Sequence, residues 1–398
     1  MAPVMKKPVK LKKRIFLDHA STTPVLSEVL STMKKFWSSE FGNPGSIHSF
    51  GLAANKALED ARKSIAMVLG ARSSEIVFTS GGTESDNIAI LGVAKLFKKN
   101  ANGTKLHIIT TEIEHHAVIH PMKFLENSGF EVTYLPVSEK GIVSVGDIEK
   151  AIKENTVLVS IIYANNEVGT IQPIREIGNM IKKFRGDRPY PLFHTDACQA
   201  PGYLNLQVSN LGVDLMTISG SKIYGPKGVG LLYVKTGTPI EPIIFGGGQE
   251  AGLRSGTQPV PLIVGLARAF KMSEDKKKKE SERLTKIRDY FISTVVKKIE
   301  GAKLNGDAKL RLPNNANIYF PGVSGEQLVI ELDVRGIAAS TGSACSSREE
   351  APSHVLRAMY NDKKRADSSV RFTFGRDTVK KDIDDTIKIL GSIINRIR

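Results

Sequence analysis

Between Glu75 and Val234, short runs rich in Val, Ile and Thr alternate with stretches whose apolar residues recur at helical spacing. Strands separated by helices cannot close as tight hairpins, because each connection has to carry the chain back along the sheet. The pattern therefore demands βαβ units and a largely parallel sheet covered on its faces by helices. The expected strands are Glu75–Ser80, Leu106–Thr111, Val157–Tyr163, Pro191–Thr195, Asp214–Ser219 and Val229–Val234. Helical periodicity is expected over 53–69 and 88–98, the latter carrying Ile88, Leu91, Ala94 and Leu96 near one face.

A chain of 398 residues is long for one such unit, and the texture changes after Gly252–Pro261. A helical stretch runs to Met272, and the lysines at 276–279, flanked by acids, read as a solvated helix junction. Another amphipathic stretch covers Leu284–Ile299. Strands are expected at Asn317–Phe320 and Val370–Phe374, with helices at Gly325–Arg335 and Lys381–Ile397. The expected division is a basic arm at 1–14, a large domain at 15–262 and a smaller α+β domain at 263–398. No internal repeat is present, which excludes solenoid architectures.

The net charge of +15 raises the question of nucleic acid. Much of the excess lies in the N-terminal Lys6, Lys7, Lys10, Lys12, Lys13 and Arg14 and in the mixed-charge junction, with no reading motif, so direct nucleic-acid binding is disfavoured. No apolar run approaches the roughly 18 residues that span a bilayer, and the N-terminus lacks an apolar signal region; a cytoplasmic, non-membrane protein is expected. The two cysteines, Cys198 and Cys345, form no CxxC pair, and the histidines fit no common zinc spacing, so no metal is expected. Cys198 lies between Ala197 and Gln199, where packing is expected. Cys345 lies in the small, polar run Thr341–Glu350, where an exposed and reactive thiol is expected. Asp18 and His19 are expected to serve a turn and its packing.

Three segments that follow strands carry unusual chemistry. Thr79-Ser80-Gly81-Gly82-Thr83-Glu84-Ser85 precedes a helix, and its glycines, first-turn amides and hydroxyls suit a phosphate. It matches neither GxxxxGK[ST] nor GxGxxG, which disfavours nucleoside triphosphates and dinucleotides. Asp196 ends a strand, where ligands meet an open α/β sheet. Ser219-Gly220-Ser221-Lys222 places a lysine before the glycine-rich Tyr224–Gly228. A lysine, a carboxylate and a phosphate-binding turn, all following strands of one sheet, suggest pyridoxal 5'-phosphate.

These segments, with Ala20-Ser21-Thr22-Thr23-Pro24, Asn43-Pro44-Gly45-Ser46-Ile47-His48, Glu114-His115-His116-Ala117-Val118, Asn165-Asn166-Glu167-Val168-Gly169-Thr170, Arg254-Ser255-Gly256-Thr257 and Ser343-Ala344-Cys345, occur in a consistent order from Phe16 to Arg376. In this the chain resembles the class I (NifS/IscS-like) cysteine desulfurases, fold-type I pyridoxal-phosphate enzymes of the aminotransferase class V family. The resemblance implies a large domain with a mostly parallel, seven-stranded sheet and a smaller C-terminal domain carrying the cysteine loop. It implies a homodimer that converts L-cysteine to L-alanine and leaves a persulfide on Cys345. A sulfur-acceptor protein of iron-sulfur cluster assembly or of tRNA or cofactor thiolation would then take the sulfur.

Carried over residue by residue, the resemblance makes Lys222 the Schiff-base lysine and the base for the substrate's α-proton. Asp196 would keep the pyridine nitrogen protonated, Gln199 would bind the ring's phenolic oxygen, and His115 would stack on the ring and act as an acid/base. Gly82, Thr83 and Ser219, with Thr257 from the partner subunit, are the implied phosphate contacts. Asn166 and Arg371 are the implied contacts to the substrate carboxylate. Ser221 departs from the family's usual histidine, keeping a hydroxyl for the phosphate and losing an imidazole donor. The chain also ends soon after Arg376, without the longer tail by which some relatives engage a scaffold. Selenocysteine lyase or an aminotransferase is the alternative activity, and Cys345 separates them, because transamination needs no thiol.

Overall fold

The computed structural model describes residues 13–101, 103–342 and 352–398. Its strands are β1 (Ile15–Phe16), β2 (Ile76–Thr79), β3 (His107–Thr111), β4 (Glu131–Leu135), β5 (Thr156–Ser160) and β6 (Leu192–Asp196), followed by β7 (Leu215–Ser219), β8 (Gly230–Val234), β9 (Lys303–Leu304), β10 (Asn315–Tyr319), β11 (Ile337–Ala338) and β12 (Ser369–Thr373). Seven of them form one sheet in the order β2-β8-β7-β6-β5-β3-β4. The run from β7 to β4 is parallel, while β8 pairs antiparallel with both β7 and β2.

The six strands expected in this region all form, each within a few residues of its expected ends. β2, β3, β5, β6 and β7 are buried along their whole length, which is why they read as short, dense apolar runs. β4 was not expected. It is an edge strand, half-buried at Glu131, Val132, Thr133 and Tyr134, and its polar residues mask it as a loop. β6 extends one residue past the expected end, so Asp196 is itself the last residue of the strand. β5 leaves the ladder at Ser160, yet Ile161 and Tyr163 still donate to His194 O and Asp196 O at 3.1 and 2.8 Å and stay beside β6.

Helices 49–69 and 82–99 form where periodicity placed them, each starting a few residues earlier than expected. One extensive apolar core fills the space between the large sheet and helices such as Ile174–Arg185, whose Ile174, Ile177 and Ile181 are buried. The helix Val260–Asp275 joins this core through Ile263, Leu266 and Phe270. It gives way at Lys276 to the helix Lys277–Lys298, at the expected junction.

A second core gathers Leu284, Phe291 and Val295 with Phe372, Phe374 and the closing helix Lys380–Ile397. It covers the antiparallel sheet β12-β10-β9 and also takes in Leu17, which follows β1. β1 pairs with β11 in parallel, so the start of the described chain is built into the C-terminal unit. Among the described residues no helix is long and apolar enough to cross a membrane.

Phe291 is fully buried and packs against Phe372 at a ring separation of 4.9 Å and Phe374 at 5.5 Å. Truncation would remove ring contacts on two sides and leave a cavity that rigid strands cannot close. Phe291→Ala is expected to cost about 3–5 kcal/mol of stability, measured by denaturant unfolding; a loss under about 1 kcal/mol would mean that this core is plastic.

Candidate active site

The carboxyl ends of parallel strands are where an open α/β sheet leaves room, since the following loops must diverge to reach helices on either face. Here β5, β6 and β7 end on a cavity of about 330 Å³. Its walls include Gly82, Thr83, His115, Asn166, Asp196, Gln199, Ser219, Ser221, Lys222 and Arg371, brought together from segments far apart in sequence. Of the other expected residues, Thr257 is exposed and not part of this wall. Cys345 lies outside the described residues, but the last residue before that segment, Gly342, lines the cavity.

Lys222 ends a single helical turn, Gly220–Lys222, directly after β7. The turn is clamped by the N-terminal segment. Thr23 donates its N–H and its hydroxyl to Ser221 O, both at 2.9 Å, and accepts the N–H of Tyr224 at 2.7 Å. This holds Tyr224 at φ +63°, an unusual value for a bulky residue. The Lys222 ammonium donates to Ser21 O at 2.5 Å, and its charge also acts on His115 and Cys198. Asp196 is 5% exposed, and its Oδ1 accepts the N–H of Cys198 at 2.9 Å. Gln199 reaches over to donate to Ala20 O at 3.0 Å.

At the other end, β2 runs into the helix Gly82–Lys99 through Gly81, whose φ of +153° and ψ of −175° are essentially restricted to glycine. A Cβ on Gly230 of β8 would lie 2.7 Å from Gly81 Cα, so the close approach of β8 behind the turn also requires glycine. Gly81 offers no side-chain cap, which leaves first-turn N–H groups of the helix to a ligand at its positive end. Ser219 and Ser221 stand nearby with their hydroxyls 3.1 Å apart. Lys222, Asp196 and this anion-binding turn face one cavity, so the donor set fits pyridoxal phosphate in both charge and kind.

The ground beneath the cavity holds three buried acids. Burial first, and then the charge of Asp196, push the Asp86 carboxyl well above its usual range. Burial pushes Glu114 up to about 8, although the Thr111 hydroxyl at 2.6 Å and the Ile162 N–H at 2.9 Å oppose the shift. His194, between the Ser160 hydroxyl at 2.8 Å and that of Thr217 at 3.1 Å, is driven by burial down to about 4 and is neutral. Burial also lowers His115, whose Nδ1 accepts the Ala117 N–H at 3.1 Å and caps the helix His116–Asn127. The Cys198 thiol is pushed well above its ordinary value by burial and by Asp196, so it stays protonated.

Arg371, on β12, is 2% exposed and crosses from the C-terminal unit into the cavity wall. It donates to Asn166 O at 2.9 Å and, through Nη2, to Asp18 Oδ1 and Ser21 Oγ at 2.7 Å each, while Nε has no partner among the described residues. Sequence reasoning gave Asp18 a turn role and missed this pairing; only the fold brings residues 18 and 371 together. Glu167 was also missed. It accepts the Ser353 hydroxyl and lies where a Cβ on Gly342 would fall 2.8 Å from its Oε2, so it touches both flanks of the segment bearing Cys345. Its place beside Asn166 was the available signal. His116, His120 and His354 stack near the same edge, with rings 4.7–5.0 Å apart. Among the described residues no group of His, Cys, Asp and Glu converges in a way that could hold a metal.

The pattern of the Aminotransferase class-V family matches residues 15–385. Cysteine desulfurase IscS of Dictyoglomus turgidum is 48% identical over 388 residues, covering 98% of this chain and 96% of that relative. Cysteine desulfurase IscS 1 of Archaeoglobus fulgidus is 44% identical over 383 residues, covering 96% and 97%. Among solved structures, a NifS-like protein superposes with a TM-score of 0.89 at 39% identity, covering 96% of this chain and all of that one. SspA in complex with cysteine does so with a TM-score of 0.78 at 37% identity, covering 92% and 100%. With this extent of likeness, the chain belongs to the aminotransferase class-V family, within its cysteine desulfurase branch.

Proposed function

We propose that this chain binds pyridoxal phosphate and uses it to convert L-cysteine to L-alanine, leaving the sulfur as a persulfide on Cys345. The observation that carries this reading is the meeting of Lys222, Asp196 and the Gly81–Thr83 turn at one cavity, beside a buried guanidinium whose Nε–H is unpaired among the described residues. Lys222 Nζ would hold the cofactor covalently, Asp196 would face its ring nitrogen, and Gln199 its phenolic oxygen. The first-turn amides and hydroxyls of Gly82, Thr83 and Ser219 would hold its phosphate. When bound, the group supplies an electron sink that weakens the Cα–H and Cβ–S bonds of an amino acid. Arg371 orients the substrate by taking its carboxylate, which agrees with a guanidinium fixed by Asp18 and Asn166.

Lys222 Nζ moves the α-proton. The Cys345 thiolate forms an S–S bond to the substrate sulfur as the Cβ–S bond breaks; that bond's electron pair stays with the three-carbon fragment, which takes up protons at Cβ and Cα and leaves as alanine. The persulfide sulfur then passes to an acceptor protein, for which iron-sulfur cluster assembly is the favoured destination. The alternatives, selenocysteine lyase and aminotransferase, have no supporting observation here.

The working form in this reading is a dimer of identical chains. Trp37, Phe41, Ile47, Phe50 and Leu52 leave an exposed apolar face, with Ile47 93% exposed, and neighbouring Phe36 packs with Ala54 and Val260 just beyond Thr257. A second copy covering this face would bring its own Thr257 towards the cavity. The two-unit division is part of the same proposal: a large unit that holds the cofactor, including the helix Val260–Asp275, and a C-terminal unit that presents Arg371 and Cys345.

Three measurements test this. Borohydride reduction and peptide mapping should find the cofactor on Lys222, and Lys222→Ala should lose that attachment and about 10³-fold or more of the activity; attachment at Lys227 instead would remove Lys222 from the mechanism. Cys345→Ser should still bind cysteine, seen as a change in the visible spectrum, yet form no persulfide, and alanine production should drop roughly a hundredfold or more. Unchanged alanine production would refute the thiol's role. Protonating His115 places a proton on Nδ1 and breaks its bond from Ala117, and burial lowers the pKa from 6.5. The neutral form is therefore present above that lowered pKa, and the His115-dependent fall of kcat/KM should lie below pH 6.5. A fall below pH 6.5 that His115→Ala leaves unchanged would exclude this histidine.

A further inference from the structure

Glu84 is out of keeping with its surroundings. It lies in the first turn of the helix Gly82–Lys99 and lines the cavity beside the turn proposed to hold a phosphate. A carboxylate there complements the helix, since Oε2 accepts the Ser80 N–H at 3.1 Å and also the Ser80 hydroxyl. The same carboxylate repels a bound phosphate, because two anions would share one partly buried site. Arg254 answers this repulsion. Its Nε donates to Glu84 Oε1 at 2.8 Å, and the two side chains are only 20% and 15% exposed. Despite burial, the bonds from Arg254 and Ser80 hold the Glu84 carboxyl below its usual range, so the charge persists.

Arg254 does not hang from a floppy loop. The preceding Glu250 is buried at φ +50°, a strained value for this residue, and is held there by Arg62 through paired bonds of 2.8 and 2.9 Å. Glu250 also accepts the N–H of Phe78, in the strand β2 that leads into the phosphate turn, at 2.8 Å. The loop bearing Arg254 is thereby fastened to its own chain's phosphate turn at two points, and the guanidinium is delivered to Glu84 from a fixed base.

We propose that Arg254 is a positioning residue for the cofactor phosphate: it acts through Glu84, drawing that carboxylate aside and cancelling its charge so that the first-turn amides accept a dianion. This rests on the reading that the cavity takes pyridoxal phosphate. The consequence is specific to the phosphate group. Loss of the guanidinium weakens binding of the phosphorylated cofactor and leaves binding of its dephosphorylated form unchanged. Removing the Glu84 charge at the same time abolishes the need for Arg254.

The test measures binding of pyridoxal 5'-phosphate and of pyridoxal to the full-length, cofactor-stripped protein by visible absorbance, with thermal unfolding as a check on folding. Arg254→Gln should lower the preference for the phosphorylated form by roughly ten- to a hundredfold, Arg254→Lys should keep most of it, and the double variant Glu84→Gln/Arg254→Gln should restore it. Wild-type protein that binds neither form, or binds both alike, would overturn the reading on which the proposal rests. Wild-type preference that survives in Arg254→Gln, an equal loss for both forms, or a double variant that stays weak would overturn the positioning role alone. If Arg254→Gln does not fold, Glu84→Gln decides: an undiminished preference supports the proposal, and a lowered one overturns it.

Discussion

Everything in this protein is arranged around a sheet whose central strands are buried on both faces. Their backbone groups have no water to bond, so they pair with neighbouring strands until those strands end, and only there does the chain leave room for side chains and a ligand. β5, β6 and β7 end in short steps, Ser160 opposite His194 and Asp196 opposite Thr217. Asp196 and Lys222 therefore enter one cavity from adjacent strand ends. The reversal of β8, with glycine where it passes Gly81, closes the far side and aims the helix Gly82–Lys99 at the same space.

Burial also decides where the charge resides. Asp86, Glu114 and Asp196 are close enough to influence one another, and three carboxylates cannot all be ionised in so little solvent. Asp86 and Glu114 shift upward, and His194 remains neutral, so these buried groups bring little charge to the cavity. His115 becomes a neutral imidazole for the same reason, since a second cation beside Lys222 is disfavoured by burial as well as by that lysine's charge.

The two apolar cores meet at the site through a few buried polar contacts. Arg371 ties β12 to Asp18, Ser21 and Asn166, and the Thr23 clamp ties the N-terminal segment to the lysine turn. These residues lie next to others whose chemistry is more conspicuous. Fixing a long cation against several acceptors leaves it little conformational entropy to lose on meeting an anion.

Most of the strands and helices, the turn at Gly81–Thr83, and the placement of Asp196 and Lys222 at or just after strand ends were legible in the sequence, because they depend on local periodicity and on residues a few positions apart. The edge strand β4 escaped because one half-buried face gives too weak a pattern, and the antiparallel course of β8 escaped because an apolar run has no direction. Asp18 against Arg371, Arg254 against Glu84, and Glu167 beside both flanks of the cysteine segment were beyond its reach. By itself, the sequence determined the α/β architecture and the chemical kinds of group available, since these follow from spacing along one chain. Only the tertiary structure decided which charges are paired and which are suppressed, because pairing and burial depend on distances between residues as much as 353 positions apart that only the folded sheet brings together.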